Sequence, residues 1–419
     1  MEGSKMKIGY WLGSASIHGG GTSPYAWRML ELLLSHSKNH NIEILILCTD
    51  EVHKDCLELF DKYQATAKIA LIPYKFNLIE RLGRILGLIL AKFINKLNLN
   101  SQLPLILNPL YGWFSSLNID LLHVPYQTAP IYDLPYPYIV TMHDVQELHF
   151  PEFFTPEERA ARAEHYWKSL KYASGVVVSF DHVKQDLIKY FRLTESKIYV
   201  CPPPYNQIKL ASPTEQETEF YAKKYTSLKD FILYPAQTWE HKNHLSLIKA
   251  IELIKDKYDH SINVICTGKK NPGFFPNIEN NLSKSTVSEQ INFMDIVPET
   301  ELYWLYKNCS LVVIPTLYEA GSFPLLEAMS LKVPVICSSV TSLPETIGDS
   351  RFIFAPLNIE QMGNLIVNML NNEKLRMDNI KNSQVRIGEL TKINTFDMIV
   401  RVWEKNSKPK RMLEKLKRY

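Results

Sequence analysis

Short, nearly unbroken apolar runs alternate along the chain with stretches in which apolar residues recur every three to four positions. Apolar runs bounded by turn residues mark strands buried on both faces of a parallel sheet, and the second pattern marks amphipathic helices. In the amino-terminal half the runs predict strands over Lys7–Leu12, Ile42–Cys48, Asp120–Tyr126, Tyr138–Asp144, Gly175–Ser179 and Ile198–Cys201. Helices are expected over Pro24–Ser35 and Asp181–Tyr190, and another after Thr155, where T-P-E-E sets a capping residue before a proline and two acids. In the other half, strands are expected over Phe231–Ala236, Ile262–Gly268, Ile291–Met294, Cys309–Thr316 and Val333–Cys337. The helices there are Asn243–Tyr258, Pro298–Lys307, Pro324–Ser330, Gln361–Leu370, Asn379–Glu389 and a final one from Phe396 to Trp403.

This order is that of an α/β protein, and 419 residues are too many for one ordinary core. The triple proline Pro202-Pro203-Pro204 marks the break, giving a first domain over 1–202, a second over 203–395, and a last helix with a basic tail over 396–419. Composition changes little in that picture: 46% hydrophobic and 22% charged residues describe a soluble globular chain, and a net charge of +3 gives no reason to expect nucleic acid. Six scattered cysteines without a C-x-x-C pair read as small core residues of a reducing compartment. With neither a signal peptide nor a membrane-spanning run in view, a cytoplasmic address is expected.

One stretch stands apart. In residues 76–99, Ile79, Leu82, Ile85, Leu86, Ile89, Leu90, Phe93 and Leu97 recur at helical spacing beside Arg81, Arg84, Lys92 and Lys96. Such a basic amphipathic helix either lies in the headgroup zone of an anionic bilayer or packs its apolar face on its own domain.

The chemistry concentrates after strands, where open α/β sheets bind ligands. After the Cys309–Thr316 run come Glu319, Ala320, Gly321, Ser322 and Phe323, then Pro324 in a first helical turn and Glu327 inside the helix. Backbone N–H groups beside a helix start suit phosphate or sugar hydroxyls, and carboxylates on either side accept hydrogen bonds from polyols. The plainer reading makes Glu319 a solvated acid and Glu327 a partner within its own helix. Lys242, at the mouth of the first strand–helix unit of the second domain, is placed to neutralise a pyrophosphate as a point charge. Gly19, Gly20 and Gly21 permit close backbone approach to a ligand, or simply form a flexible turn. His143, in Met142-His143-Asp144, ends a strand and is either a satisfied core histidine or a group at an opening.

EAGSFPLLEA resembles the E-x7-E region of the retaining glycosyltransferases of family 4, which have the GT-B fold, and KVPVICSSVTSLPE resembles the same family's G-x-PV-x-x-S-x-x-x-x-PE stretch. YPAQTWEHKNH is similar to that family's diphosphate-binding strand and turn. Two departures are visible. Gly321 and Ser322 stand where the family usually carries a Phe-Gly pair, and Ala236, Gln237 and Thr238 where many relatives carry an arginine.

The resemblance implies two doubly wound Rossmann-like domains facing across a cleft, the first holding the acceptor and the second a nucleotide-sugar, with the last helix crossing back to the first domain. It implies transfer of a hexosyl group to a hydroxyl with retention. Lys242 and backbone N–H groups near Gly321 would steady the departing nucleoside diphosphate, with Gly20 and Gly21 close to it. Glu319 would hold donor-sugar hydroxyls, Glu327 the ribose, and His143 the sugar from the opposite wall, while Ala320, Ser322 and Phe323 line the donor loop. The HKNH and MHD segments lean towards a mannosyltransferase using GDP-mannose to build surface polysaccharide on a saccharide or lipid-linked acceptor. No D-x-D pair occurs, so no metal is required. Peripheral contact with the inner face of the cytoplasmic membrane, through 76–99 and the basic tail, accords with lipid-linked acceptors. The alternatives are an inactive nucleotide-sugar sensor or partner protein, and a nucleotide-sugar epimerase of similar fold.

Overall fold

The computed structural model describes residues 5–16, 22–36, 40–63, 67–73, 82, 83, 85–87, 89, 90, 107–132, 134, 136–205, 210–226, 228 and 230–407. The chain parts into two units, one of Met1–Val145, Phe154–Pro204 and Asn394–Tyr419, the other of Gln146–Phe153 and Tyr205–Ile393.

In the first unit β1 (Met6–Gly13), β2 (Ile42–Cys48), β3 (Ala67–Leu71), β4 (Leu121–Val124), β5 (Tyr138–Thr141), β6 (Gly175–Val178) and β7 (Ile198–Val200) form one sheet in the order β3-β2-β1-β4-β5-β6-β7. All its pairings are parallel, with Ile8 beside Leu121 and Leu122 beside Tyr138. The central strands β4, β5 and β6 are buried at every position, the expected consequence of helices on both faces. One face packs on the Ser23–His36 helix together with Phe396, Ile399, Val402 and Trp403 of the Thr395–Asn406 helix. Trp403 is fully buried, and its indole N–H donates to Nδ1 of His123 on β4 at 3.2 Å. The other face packs on Phe114, Tyr166, Leu170, Val183 and Leu187.

The second unit repeats the plan with β8 (Phe231–Pro235), β9 (Asn263–Thr267), β10 (Ile291–Phe293), β11 (Leu311–Ile314), β12 (Val335–Ser338) and β13 (Ile353–Phe354), in the order β10-β9-β8-β11-β12-β13, again all parallel. Both sheets are therefore doubly wound. The order reverses between β1 and β4 in one and between β8 and β11 in the other.

Several details depart from the sequence reading. Residues 146–153 group with the second unit rather than the first, because His149 and Phe150 pack against Tyr318, with ring centroids 5.5 and 6.2 Å away. The structure adds strands β3 and β13 and the helices Asp50–Tyr63, Pro109–Ser116, Glu215–Lys224, Phe275–Ser283 and Leu343–Ile347 to the elements the sequence predicts, and the Glu373–Leu390 helix starts earlier, where Asn372 caps it. Most of 76–99 and all of 408–419 lie outside the described residues. Within the former, Leu82, Ile85, Leu86 and Ile89 are helical and each is more than half exposed.

Candidate functional site

Strand β8 is buried throughout and ends at Pro235, after which the chain makes a single tight turn over Glu240–Lys242 and enters the His244–Tyr258 helix through Asn243, in the left-handed region at φ +60°. The Asn243 side chain does not cap that helix. It donates instead to the carbonyls of Pro315, at 2.8 Å, and Pro356, at 2.9 Å, so the turn after β8 is tied to the turn after β11. The His241 carbonyl completes the tie by accepting from the Leu317 N–H at 2.7 Å and the Thr316 hydroxyl at 2.9 Å. Tyr234, inside β8, donates its hydroxyl to the Lys242 carbonyl at 2.7 Å. Lys242 is thus fixed through its main chain, and its ammonium meets Glu319 with Nζ to Oε2 at 2.6 Å. Both side chains are less than one-fifth exposed. The pair stands where the strand order reverses, at the carboxyl ends of β8 and β11.

The loop carrying Glu319 is held as firmly. Ser338 donates to the Thr316 carbonyl at 2.6 Å, and Thr341 and Ser342 both reach the Glu319 backbone. Ala320 and Gly321 follow half-buried, and no backbone group among the described residues takes up the Gly321 N–H. Ser322, nearly fully buried, caps the Phe323–Ser330 helix by accepting from the Leu325 N–H at 3.3 Å. Phe323 packs beside Tyr205, Leu326 and Leu390. Glu327, on the same helix, accepts from the Tyr306 hydroxyl at 3.0 Å, a contact across 21 residues that no local sequence signal announces. Glycine is required at one nearby position. Gly268, at φ +121°, presses the turn after β9 so closely on the turn after β8 that a Cβ would lie 2.8 Å from the Ala236 carbonyl carbon.

His143 belongs to the first unit, just past β5, and is only 8% exposed. This is a core placement rather than one presented to solvent. Its Nε2 lies 2.9 Å from the Pro125 carbonyl, so Nε2 carries the proton and Nδ1 the lone pair, and its ring stands edge-on to Tyr25 at 4.7 Å. Burial holds its pKa below the usual histidine value. His241 and His244, flanking Lys242, are pushed down to about 3 by burial first and by the Lys242 charge second. Gly20 and Gly21 lie outside the described residues. Among the described residues no three His, Cys, Asp or Glu side chains converge where a metal ion would sit. The structure thus joins Lys242, Glu319 and the Gly321–Ser322 turn in one place, with Glu327 one helical turn beyond.

Comparison with known proteins bears on the family and the fold. The family model for Glycosyltransferase Family 4 matches residues 20–207, and that for Glycosyl transferases group 1 matches residues 216–386. The chain is 24% identical over 239 residues to an O-antigen chain mannosyltransferase B of Escherichia coli, covering 57% of this chain and 62% of that one. It is 23% identical over 309 residues to a serotype-specific mannosyltransferase, WbdA, also of Escherichia coli, covering 73% of this chain. The match spans 37% of that relative's length. Anabaena HepE, solved with UDP and glucose, superposes with a TM-score of 0.66 at 13% identity, covering 96% of this chain and 99% of HepE. Two family models in tandem, two doubly wound parallel sheets and a full-length structural match together place the chain in glycosyltransferase family 4, with the GT-B fold.

Proposed function

We propose that the protein is a retaining glycosyltransferase that moves a mannosyl group from GDP-mannose to a hydroxyl of a saccharide or lipid-linked saccharide in surface polysaccharide synthesis, without a metal ion. The observation that carries this reading is the Lys242–Glu319 pair, 2.6 Å apart at the reversal point of the second sheet. When a nucleotide-sugar enters, the ammonium turns to the pyrophosphate and the carboxylate to sugar hydroxyls, so each group exchanges one charged or polar partner for another inside a partly dry site. The Gly321 N–H, beside a helix start, adds a donor where negative charge grows as the bond between sugar and diphosphate breaks. Glu327, on the Phe323–Ser330 helix past the Gly321–Ser322 turn, is assigned to the ribose of the donor. Mannose and GDP are favoured by the HKNH and MHD segments and by the relatives named mannosyltransferases. The exposed face of Leu82, Ile85, Leu86 and Ile89, with the basic tail, is assigned to peripheral contact with the cytoplasmic leaflet, where lipid-linked acceptors reside.

The test is incubation with a panel of labelled nucleotide-sugars, with and without chelator. Release of nucleoside diphosphate from GDP-mannose, together with an α-linked product from the α-linked donor, is expected. Lys242→Ala and Glu319→Ala should each lower turnover by about a hundredfold or more. Interconversion of the donor sugar would instead mean an epimerase, binding without turnover a sensor, and undiminished turnover in both variants would remove the site.

A further inference from the structure

Thr341 has a backbone that a β-branched residue rarely adopts, at φ +47° in the left-handed region. That conformation crowds a β-branched side chain against its own backbone, and glycine would relieve it. The compensating contact is specific. The Thr341 hydroxyl donates to the carbonyl of Glu319 at 2.5 Å and accepts from the N–H of the same residue at 3.2 Å. A second hydroxyl, that of the fully buried Ser342, also donates to the Glu319 carbonyl, at 3.2 Å. Glu319 lies five residues beyond the last residue of β11 and outside any helix or strand, so no ladder serves its main chain. One side chain from the turn after β12 therefore satisfies both backbone groups of the residue whose carboxylate meets Lys242.

We infer that Thr341 is a positioning residue for Glu319: its hydroxyl, held in place at the cost of a strained backbone, sets the height and direction from which the Glu319 carboxylate meets Lys242 and, in turn, the donor sugar. This assignment rests on the reading of Glu319 as a donor-sugar ligand. A residue present only to shape its own turn would be improved, or left unharmed, by glycine. A positioning hydroxyl would not be.

The experiment compares T341G, T341V and T341S in the full chain by three readouts: midpoint of thermal unfolding, amide hydrogen exchange at Glu319, and kcat and KM with the nucleotide-sugar that the wild type turns over. T341G is expected to keep or raise the unfolding midpoint yet to speed exchange of the Glu319 amide and lower kcat by about tenfold to a hundredfold, as misplacement of a reacting group does. T341V should show the same two losses, and T341S should restore both. Wild-type exchange and kcat in T341G would overturn the inference. If the wild-type protein turns over no nucleotide-sugar, the functional reading fails by itself, and the exchange comparison still decides whether Thr341 holds Glu319.

Discussion

His244 is 1% exposed between the rings of Tyr234 and Phe293, and neither ring nitrogen has a hydrogen-bond partner among the described residues. Its folded pKa of about 3 lies below the ordinary histidine value, as do those of His241 and His123, so the unfolded chain binds protons first as the medium is acidified. Their contribution to stability is complete above about pH 6.5 and is lost progressively as pH falls towards 3, by about 1.4 kcal/mol per pH unit for each ring. His244→Phe removes one of these protons without removing a hydrogen bond. Between pH 7 and pH 5 the variant should therefore lose about 2 kcal/mol less stability than the wild type, read from urea midpoints; parallel pH profiles would contradict the account. At this scale the sequence is uneven in what it discloses. Lys242 and Glu319 are legible through the segments that carry the family resemblance, YPAQTWEHKNH and EAGSFPLLEA. Thr341 is not, because its role depends on a contact with a residue 22 positions earlier, and a threonine by itself reads as a strand former.

Among the elements, the close approach of two turns gives the sharpest expectation. A methyl group at position 268 would meet the backbone of Ala236 and Gln237 at 2.8–2.9 Å, and neither can withdraw without breaking the bonds from the Thr238 N–H to the Lys269 carbonyl and from the Asn271 N–H to the Thr238 hydroxyl. Gly268→Ala should cost at least about 2 kcal/mol in denaturant unfolding, and a cost below half of that would mean the turns are not in contact. Fully buried strands were readable because parallel sheets covered on both faces demand continuous apolar runs. Strand β3, an edge strand with no position fully buried, and β13, only two residues long, carry no such run. The Glu215–Lys224 helix is polar nearly throughout, yet its start was legible in principle: Thr214 and Glu217 form a reciprocal capping box. Strand ends were overestimated at Asp144 because His143 follows β5 as loop, tied to Pro125 rather than to a neighbouring strand.

For the whole molecule, what remains beyond the two sheets is the means of reaching an acceptor. No helix among the described residues is long and apolar enough to cross a membrane, so contact with a bilayer would rest on a surface such as the one formed by Leu82, Ile85, Leu86 and Ile89. Their spacing of i, i+3, i+4 and i+7 sets them along one side of a helix. Flotation with vesicles rich in anionic lipid should fall by about tenfold or more when Ile85 and Ile89 are both changed to serine, and equal flotation would leave the surface without that role.

The packing of the Thr395–Asn406 helix against Met29, Leu33 and β4 has a further consequence for how the protein comes into being. A ribosome delivers residues 6–200 long before Trp403, so the face that the Ser23–His36 helix shares with Phe396, Ile399, Val402 and Trp403 stays partly uncovered until Trp403 has emerged. The later-made sheet draws all its strands from 231–354 and can close first. Order of synthesis and order of completion are reversed, and the nascent amino-terminal half is the part that most needs shielding from other chains.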